Sequence, residues 1–420
     1  MLRSRVTLVA VAVWLGALFP AAASAQEWPL HGFAQTNWSV RTTGLSDPRL
    51  QSGDYLLGEE RLQLELKGYS TSGSAGFLVK TDLFHDALDG RADLEVREAY
   101  VDAVIGPVGV RVGRQIITRG IGDLLFVNDV FPKDYTAFFS GRPIQYLKLG
   151  LDALKVDLAA GNGGIELVLA PSFEPDRVPG PDRFVLPDPF PDVPRVEERP
   201  GLALSDAQAA FRAYASVAGI DVAGYGYRGF YGSASPRPDG GAPATRVLLR
   251  FPRLDVYGLS LQRAGIGGVV GAELGYYDSR EDAAGSDPWT PNSELRALIG
   301  YQTQPWAEAS VGVQYYAEWM QHHAAYRESL PEAMTPRDEL RQVATLRYTQ
   351  LLAYQTWQLS LFAFVGLSES DYLMIPEVRH RLTDELWIAL GANVFGGGRQ
   401  DLFGAMDAND NVYVTARYGF

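Results

Sequence analysis

The chain has no cysteine, so a disulfide-stapled fold, a thiolate metal site and a cysteine nucleophile are all excluded. Lysine is scarce, five residues against 32 arginines, and the formal net charge is −13. That acidic balance leaves no basic footprint for nucleic acid. A Walker loop, a Gly-x-Ser-x-Gly elbow and a His-Glu-x-x-His helix are all missing, and no Ser/His pairing stands out to support a hydrolase, so the chain does not read as an enzyme. Of only five histidines, the pair His322-His323 reads as solvated rather than as a metal site. Asp407-Ala408-Asn409-Asp410-Asn411 lacks the Gly and the distal Glu of a calcium loop. Without Cys-x-x-Cys-His the chain cannot attach a c-type haem. No metal and no cofactor are expected. Past the amino terminus, no apolar run reaches the roughly 20 residues that a spanning helix needs.

What is present begins with an export signal. Arg3 and Arg5 precede an apolar run over residues 6–19, and Ala21-Ala22-Ala23-Ser24-Ala25-Gln26 fits a signal-peptidase site after Ala25. Residues 1–25 are therefore read as a cleaved signal peptide and residues 26–420 as one domain. Cleavage takes away two arginines and moves the formal charge to −15.

Period-two segments recur along the mature chain, each about the ten residues that a tilted strand needs to cross an apolar layer. Val412, Val414, Ala416, Tyr418 and Phe420 alternate with Asn411, Tyr413, Thr415, Arg417 and Gly419 at the carboxyl end. Ala309, Val311, Val313, Tyr315, Ala317 and Trp319 share one face of their segment, with Ser310, Gly312, Gln314, Tyr316 and Glu318 on the other. Short turns are placed at 71–74, 106–107, 161–164, 219–220, 265–267, 304–305, 354–355 and 383–384. Those eight hairpins, with a first strand near 30–40 and the last at 411–420, predict an all-β, transmembrane antiparallel β-barrel of about 18 strands, with 16 also compatible. Long polar segments at 41–57, 119–142, 173–204, 232–243, 279–294, 322–341 and 396–410 are expected outside the cell. At this width side chains cannot fill the interior, so a water-filled lumen is expected.

Two of the long segments differ from the rest. Nine prolines between Pro171 and Pro200 favour an extended, hydrated surface loop. Segment 119–142, with Leu124, Leu125, Phe126, Val127, Phe131, Tyr135, Phe138 and Phe139, is too apolar for a loop in water and is expected to fold inward. There it either narrows a channel, with Asp123, Asp129, Lys133 and Asp134 along the solute path, or serves as plug or rim packing.

The candidate pore-lining residues on polar faces are Arg61, Glu65, Lys67, Arg212, Arg250, Glu273, Arg296, Glu318, Arg347, Arg379 and Arg417. Mixed Arg/Glu rows brace a wall through bidentate contacts, or offer a ladder to anionic solutes. Arg97-Glu98 and Arg114 break the alternation and call for a bulge or an inward displacement. Pro252 marks a register change, because it removes a ladder donor. Trp38, Tyr69, Tyr225, Tyr227, Tyr276, Trp319, Tyr348, Tyr418 and Phe420 are expected in interfacial bands.

A signal peptide, amphipathic strands and a terminal Phe resemble the Gram-negative outer-membrane porins. Within them, Arg97-Glu98-Ala99-Tyr100-Val101-Asp102, Val112-Gly113-Arg114-Gln115 and Asn128-Asp129-Val130-Phe131-Pro132-Lys133-Asp134-Tyr135 resemble a branch of uncharacterised porin-like proteins related to alginate-export barrels. The resemblance implies passage of a small hydrophilic or anionic solute, or export of a polysaccharide. A barrel sheath around a partner such as an electron-transfer cytochrome is the alternative, and an outer-membrane hydrolase is the less favoured third reading. Expected partners are outer-membrane lipid and lipopolysaccharide, the barrel-assembly machinery through the Phe420 strand, and a periplasmic or lumenal protein if the sheath reading holds.

Overall fold

The computed structural model describes residues 30–43, 53–186, 188–241, 243–332, 334–398 and 401–420. The expected signal peptide and parts of the 41–57 and 396–410 loops lie outside these residues.

Strand β1 (Leu30–Arg41) is followed by the hairpins β2–β3 (Tyr55–Tyr69, Ala75–Asp86) and β4–β5 (Arg91–Ile105, Val108–Gln115). After helix α1 (Tyr135–Phe139) come β6–β7 (Leu151–Ala160, Gly163–Ala170), a short β8 (Arg195–Glu198) and β9–β10 (Gln208–Val217, Ile220–Phe230). The short β11 (Ser235–Asp239) and β12 (Arg246–Arg250) precede β13–β14 (Arg253–Gly265, Gly268–Ser279) and β15–β16 (Glu294–Thr303, Ala309–Met320). Helix α2 (His323–Ser329) leads to β17–β18 (Leu340–Leu352, Trp357–Gly366), β19–β20 (Tyr372–Arg381, Leu386–Gly396) and β21 (Asn411–Gly419). Eighteen of these strands form one antiparallel sheet. It closes on itself, because β1 pairs with β2 on one side and with β21 on the other. Phe420 extends the seam by exchanging two backbone bonds of 3.0 Å with Gly32. All eight expected short turns join hairpin partners at one end of this barrel.

Side-chain facing follows the alternation in the sequence. On β16, Val313, Tyr315 and Trp319 are exposed on the outer wall, while Tyr316, Glu318 and Met320 are buried within. The same parity leaves Leu274, Ile299, Leu346, Val365, Leu390 and Val414 exposed on neighbouring strands. Two tyrosines depart from expectation. Glycines 224 and 226 take the outward positions of β10, so Tyr225 and Tyr227 turn inward and bond to Ser260 and Gln208 instead of joining an interfacial band.

The interruptions have separate causes. Lys80 pairs with Glu98 and Thr81 with Val96, so Arg97 is the extra residue of a β-bulge and neither charge has to face outward. Arg114 lies beyond no such bulge, and its β4–β5 register runs without a shift. Instead Gly113 adopts φ +126°, where a Cβ would stand 2.3 Å from the Ala99 carbonyl. Arg114 then donates to the Val96 carbonyl and lies near Asp152 (3.8 Å) and Glu174 (3.5 Å) at the rim. At Pro252 the chain changes sheets: β12 belongs to a three-stranded sheet outside the wall, antiparallel to β11 and parallel to β8, and β13 starts anew in the barrel. Arg250 ends β12, so it does not line the pore and lies near Glu198 and Glu281 instead.

A test of facing compares neighbours on β16. Val313→Arg places a cation in the apolar layer and should cost about 2–4 kcal/mol. Gln314→Arg faces inward and removes only the acceptor for the Asp123 N–H, about 1 kcal/mol. Denaturant unfolding in lipid vesicles measures both, and equal losses would refute the assignment.

Candidate functional site: the chain-crossed lumen

The connection between β5 and β6, residues 116–150, runs through the barrel interior and is anchored around most of its circumference. Its apolar content explains the inward course: Ile117 and Phe131 join buried wall residues of β6, β7, β9, β10, β13 and β14 in one cluster. Val127, Phe138 and Leu147 join Leu298, Tyr316, Phe362, Phe364, Leu373 and Phe395 in another. Burying a side chain such as Phe138 contributes roughly 1.5–3 kcal/mol. Phe184 from the proline-rich loop, with Phe403 and Met406 from the last loop, completes the second cluster. The long-loop half of the interior is therefore packed in part by the chain's own loops, where the sequence alone predicts a water-filled lumen.

Polar anchors fix the crossing. Arg119 pairs with Glu166 on β7 (2.9 Å) and donates to the Phe211 carbonyl of β9. Glu273 on β14 has no cation partner among the described residues; its carboxylate accepts from the Ile121 and Gly122 N–H groups and from Asn128 Nδ2. Asp123 receives Arg347 of β17 at 2.9 Å, and its N–H donates to Gln314. On the opposite side Arg142 bridges Glu59 of β2 and Asp134. Gln145 accepts from Arg417 at 3.1 Å, and Arg97 donates to its carbonyl. Burial alone would lower the Arg142 guanidinium, but Glu59 and Asp134 outweigh it and hold the group above its ordinary value. For Arg119 and Lys133 burial wins over Glu166 and Asp129 respectively, and both are lowered.

Of the four acidic and basic residues expected along a solute path, only Asp123 is left partly exposed, at 35%. Asp129 is buried between Lys133 (3.3 Å) and Lys148 (2.9 Å). Lys133 is itself buried and donates to loop carbonyls. Asp134 caps α1 through the Ala137 N–H and is neutralised by Arg142. Satisfying the loop's own backbone and charges decides these positions, and spacing in the sequence does not report it.

The wall candidates divide into two groups. Arg61 is buried between Asp82 (2.7 Å) and Glu59 (3.2 Å) with Tyr146 over it, and Glu65 pairs with Lys80 at 2.8 Å. Arg296, Glu294, Glu318 and Arg337 form one network with contacts of 2.7–3.7 Å, and Arg379 pairs with Glu377 at 3.0 Å. These brace the wall. Lys67, Arg212 and Arg417, in contrast, have no carboxylate within 4 Å among the described residues. Arg417 donates to the Gln35 and Gln145 carboxamides and lies over Phe33 and Trp387, while Arg212 lies over Tyr214.

Spaces remain on both sides of the crossing. One of about 260 Å³ is lined by Ile121, Asp123, Gln302, Gln314 and Arg347. A second of about 340 Å³ holds Arg212, Tyr214, Asp221 and Gln262. On the long-loop side, about 430 Å³ lies between Arg142, Glu174, Asp176, Arg177 and Arg199. There burial raises the Asp176 carboxyl, opposed by the Lys133 N–H and ammonium.

Glu273→Ala should strand the Ile121 and Gly122 amides, a loss of about 1–3 kcal/mol for a buried unsatisfied group. Their hydrogen exchange should rise about tenfold or more, while Glu65→Ala leaves it unchanged. Exchange at both amides equal to wild type in Glu273→Ala would show that Glu273 is not the latch.

No protein-family model matches the sequence, and no curated protein matches it. Among solved structures, Pseudomonas aeruginosa OccK11 (OpdR) is similar at TM-score 0.51 and 12% identity, covering 93% of this chain and 95% of its own. Pseudomonas aeruginosa OccK10 (OpdN) is similar at TM-score 0.51 and 13% identity, covering 94% and 99%. At such identities the likeness is one of fold.

Proposed function

We propose that this chain is an outer-membrane, porin-like channel for small hydrophilic solutes, with a preference for anionic ones. The observation that carries the reading is the set of inner-wall cations with no carboxylate within 4 Å among the described residues, Lys67, Arg212 and Arg417, close to the short-turn end of the barrel, below a loop whose partly exposed carboxylate is Asp123. The exposed apolar band on the outer wall supports immersion in lipid, since soluble proteins rarely expose so large an apolar surface. Cavities of a few hundred Å³ suit small solutes better than a polymer. A sheath for a cytochrome is less favoured, because residues 116–150 occupy the interior in which a partner would sit.

Single-channel recording in a planar bilayer tests this. Excising residues 123–139 should raise conductance, because the narrowest section dominates the resistance of a water-filled pore. Asp123→Asn should move the reversal potential under a salt gradient further toward anions, and the shift should shrink at high salt as the Debye length falls to about 3 Å at 1 M. Absence of ion current in both wild type and the excised variant would overturn the channel reading.

Location is tested separately. Phe420 closes the seam with Gly32, and its deletion should impair insertion by the assembly machinery while leaving export through the signal peptide intact. Membrane fractionation with heat-modifiability on gels reads this out. Undiminished folded barrel after the deletion would count against it.

A further inference from the structure

The space of about 340 Å³ below the crossing, on the inner faces of β9, β10 and β13, is lined by a cation and a carboxylate that the chain leaves unpaired. Among the described residues, neither Arg212 nor Asp221 has a group of opposite charge within 4 Å. Arg212 has no hydrogen bond to rely on either, since its Nε is buried without an acceptor and its guanidinium lies over the Tyr214 ring, 4.6 Å from the centroid. Its register partner on β7 is Glu166. That carboxylate is already committed to Arg119 at 2.9 Å and to Lys155 at 3.2 Å, and the Arg119 guanidinium repels that of Arg212. The cationic end of the space therefore lacks an anion.

The other end has the opposite sign. Asp221 shares the parity of Tyr225, whose hydroxyl bonds to Ser260 on the inner wall, so its carboxylate also comes inward, at the register level of Ser216 and Gln262. Arg212 is opposite Tyr225 and Tyr214 is opposite Ala223. By lying over Tyr214 the guanidinium reaches toward Asp221, which leaves roughly 7 Å along β10 at about 3.3 Å per residue. Two charge-assisted contacts of about 2.8 Å, with the short spacing of ammonium and carboxylate in an α-amino acid between them, fill such a gap. Asn162 and Gln262 add carboxamides beside it. The volume lies at the low end of ligand pockets, roughly 300–1,000 Å³.

We infer that this space is a binding site for a small zwitterion of the α-amino acid class, its carboxylate on Arg212 and its ammonium on Asp221. The inference rests on the channel reading and narrows its solute class. A simple anion is served as well at Arg417; Asp221 is what sets this space apart, because it repels a second carboxylate and attracts an amine.

Calorimetric titration of the purified barrel in detergent at pH 7 tests the site with three probes: L-valine, isovalerate, which lacks the ammonium, and isobutylamine, which lacks the carboxylate. Valine should bind about tenfold more tightly than either, one charge-assisted contact being lost in each analogue. Asp221→Asn should lower valine to the level of isovalerate while leaving isovalerate no weaker. Arg212→Gln should weaken valine and isovalerate alike, about tenfold. Heat-modifiability establishes that each variant is folded, and Asp221→Asn, at the open mouth, decides the matter if the arginine variant does not fold. Equal affinity of the wild type for valine and isovalerate would overturn the site, as would a preference for valine that survives Asp221→Asn. Valine binding in a protein that carries no ion current would sink the channel reading and leave the site standing.

Discussion

Closure of the sheet between β1 and β21 is the constraint on which the rest of the molecule depends. A strand in hydrocarbon has no water to satisfy its N–H and C=O groups, so an open edge is costly and only a closed ladder is stable there. Nine residue pairs join β1 to β21, from Phe33–Gly419 to Arg41–Asn411. Once that register is set, every side chain on eighteen strands is assigned inward or outward by parity, and a slip of one residue would reverse the whole assignment. The bulge at Arg97, the φ of Gly113 and the sheet change at Pro252 are local adjustments that preserve this parity where the sequence breaks it.

Closure at eighteen strands creates a second problem, an interior too wide for wall side chains to fill. The fold meets it with residues 116–150, and the two halves of that segment are held differently. Around α1, Phe138 and Phe139 pack on Phe364 and Phe395, and Arg142 is locked by two carboxylates. Removing one partner of such a buried pair typically costs 3–5 kcal/mol. The stretch from Gly120 to Asp123 depends instead on hydrogen bonds to Glu273 and on the Asp123–Arg347 pair, whose side chains are 35% and 55% exposed. Exposed pairs contribute about 0–1 kcal/mol. Movement within the crossing is therefore least costly at residues 120–123, which border the 260 Å³ space.

Nearly all of the wall was legible in the sequence, because it is encoded locally. Alternation over ten residues fixes a strand, and Gly-, Asn- and Pro-containing breaks fix six of the eight short turns, while those at 354–355 and 383–384 are set by the end of the alternation alone. Tyr225 and Tyr227 misled because Gly-Tyr-Gly-Tyr alternates small with large rather than apolar with polar, and nothing local says which faces lipid. The inward course of 119–142 followed from its aromatics, whereas its anchors did not. Arg119 meets Glu166, Arg142 meets Glu59 and Arg417 meets Gln145 across 47 to 272 residues of chain, separations that leave no periodic trace. Asp129 and Asp134 carried the same local signal as Asp123, and only the packing of the loop separates a buried, neutralised carboxylate from one facing solvent.

Net charge is a poor guide to the charge that the interior of such a barrel presents. The chain totals −13, yet the interior presents chiefly the charges that remain unpaired along the inner wall. Paired charges such as Arg61–Asp82, Lys80–Glu65 and Arg296–Glu294 produce short-range dipoles that largely cancel over the width of the lumen. Arg417 is different in kind: carboxamides and ring faces stabilise its guanidinium without neutralising it. A protein that needed only bracing at this position would gain more from a carboxylate, which forms the stronger, bidentate contact. Neutral partners hold the guanidinium in place without pairing it, so among the described residues Arg417 keeps an unpaired charge on the inner wall although the molecule as a whole is acidic.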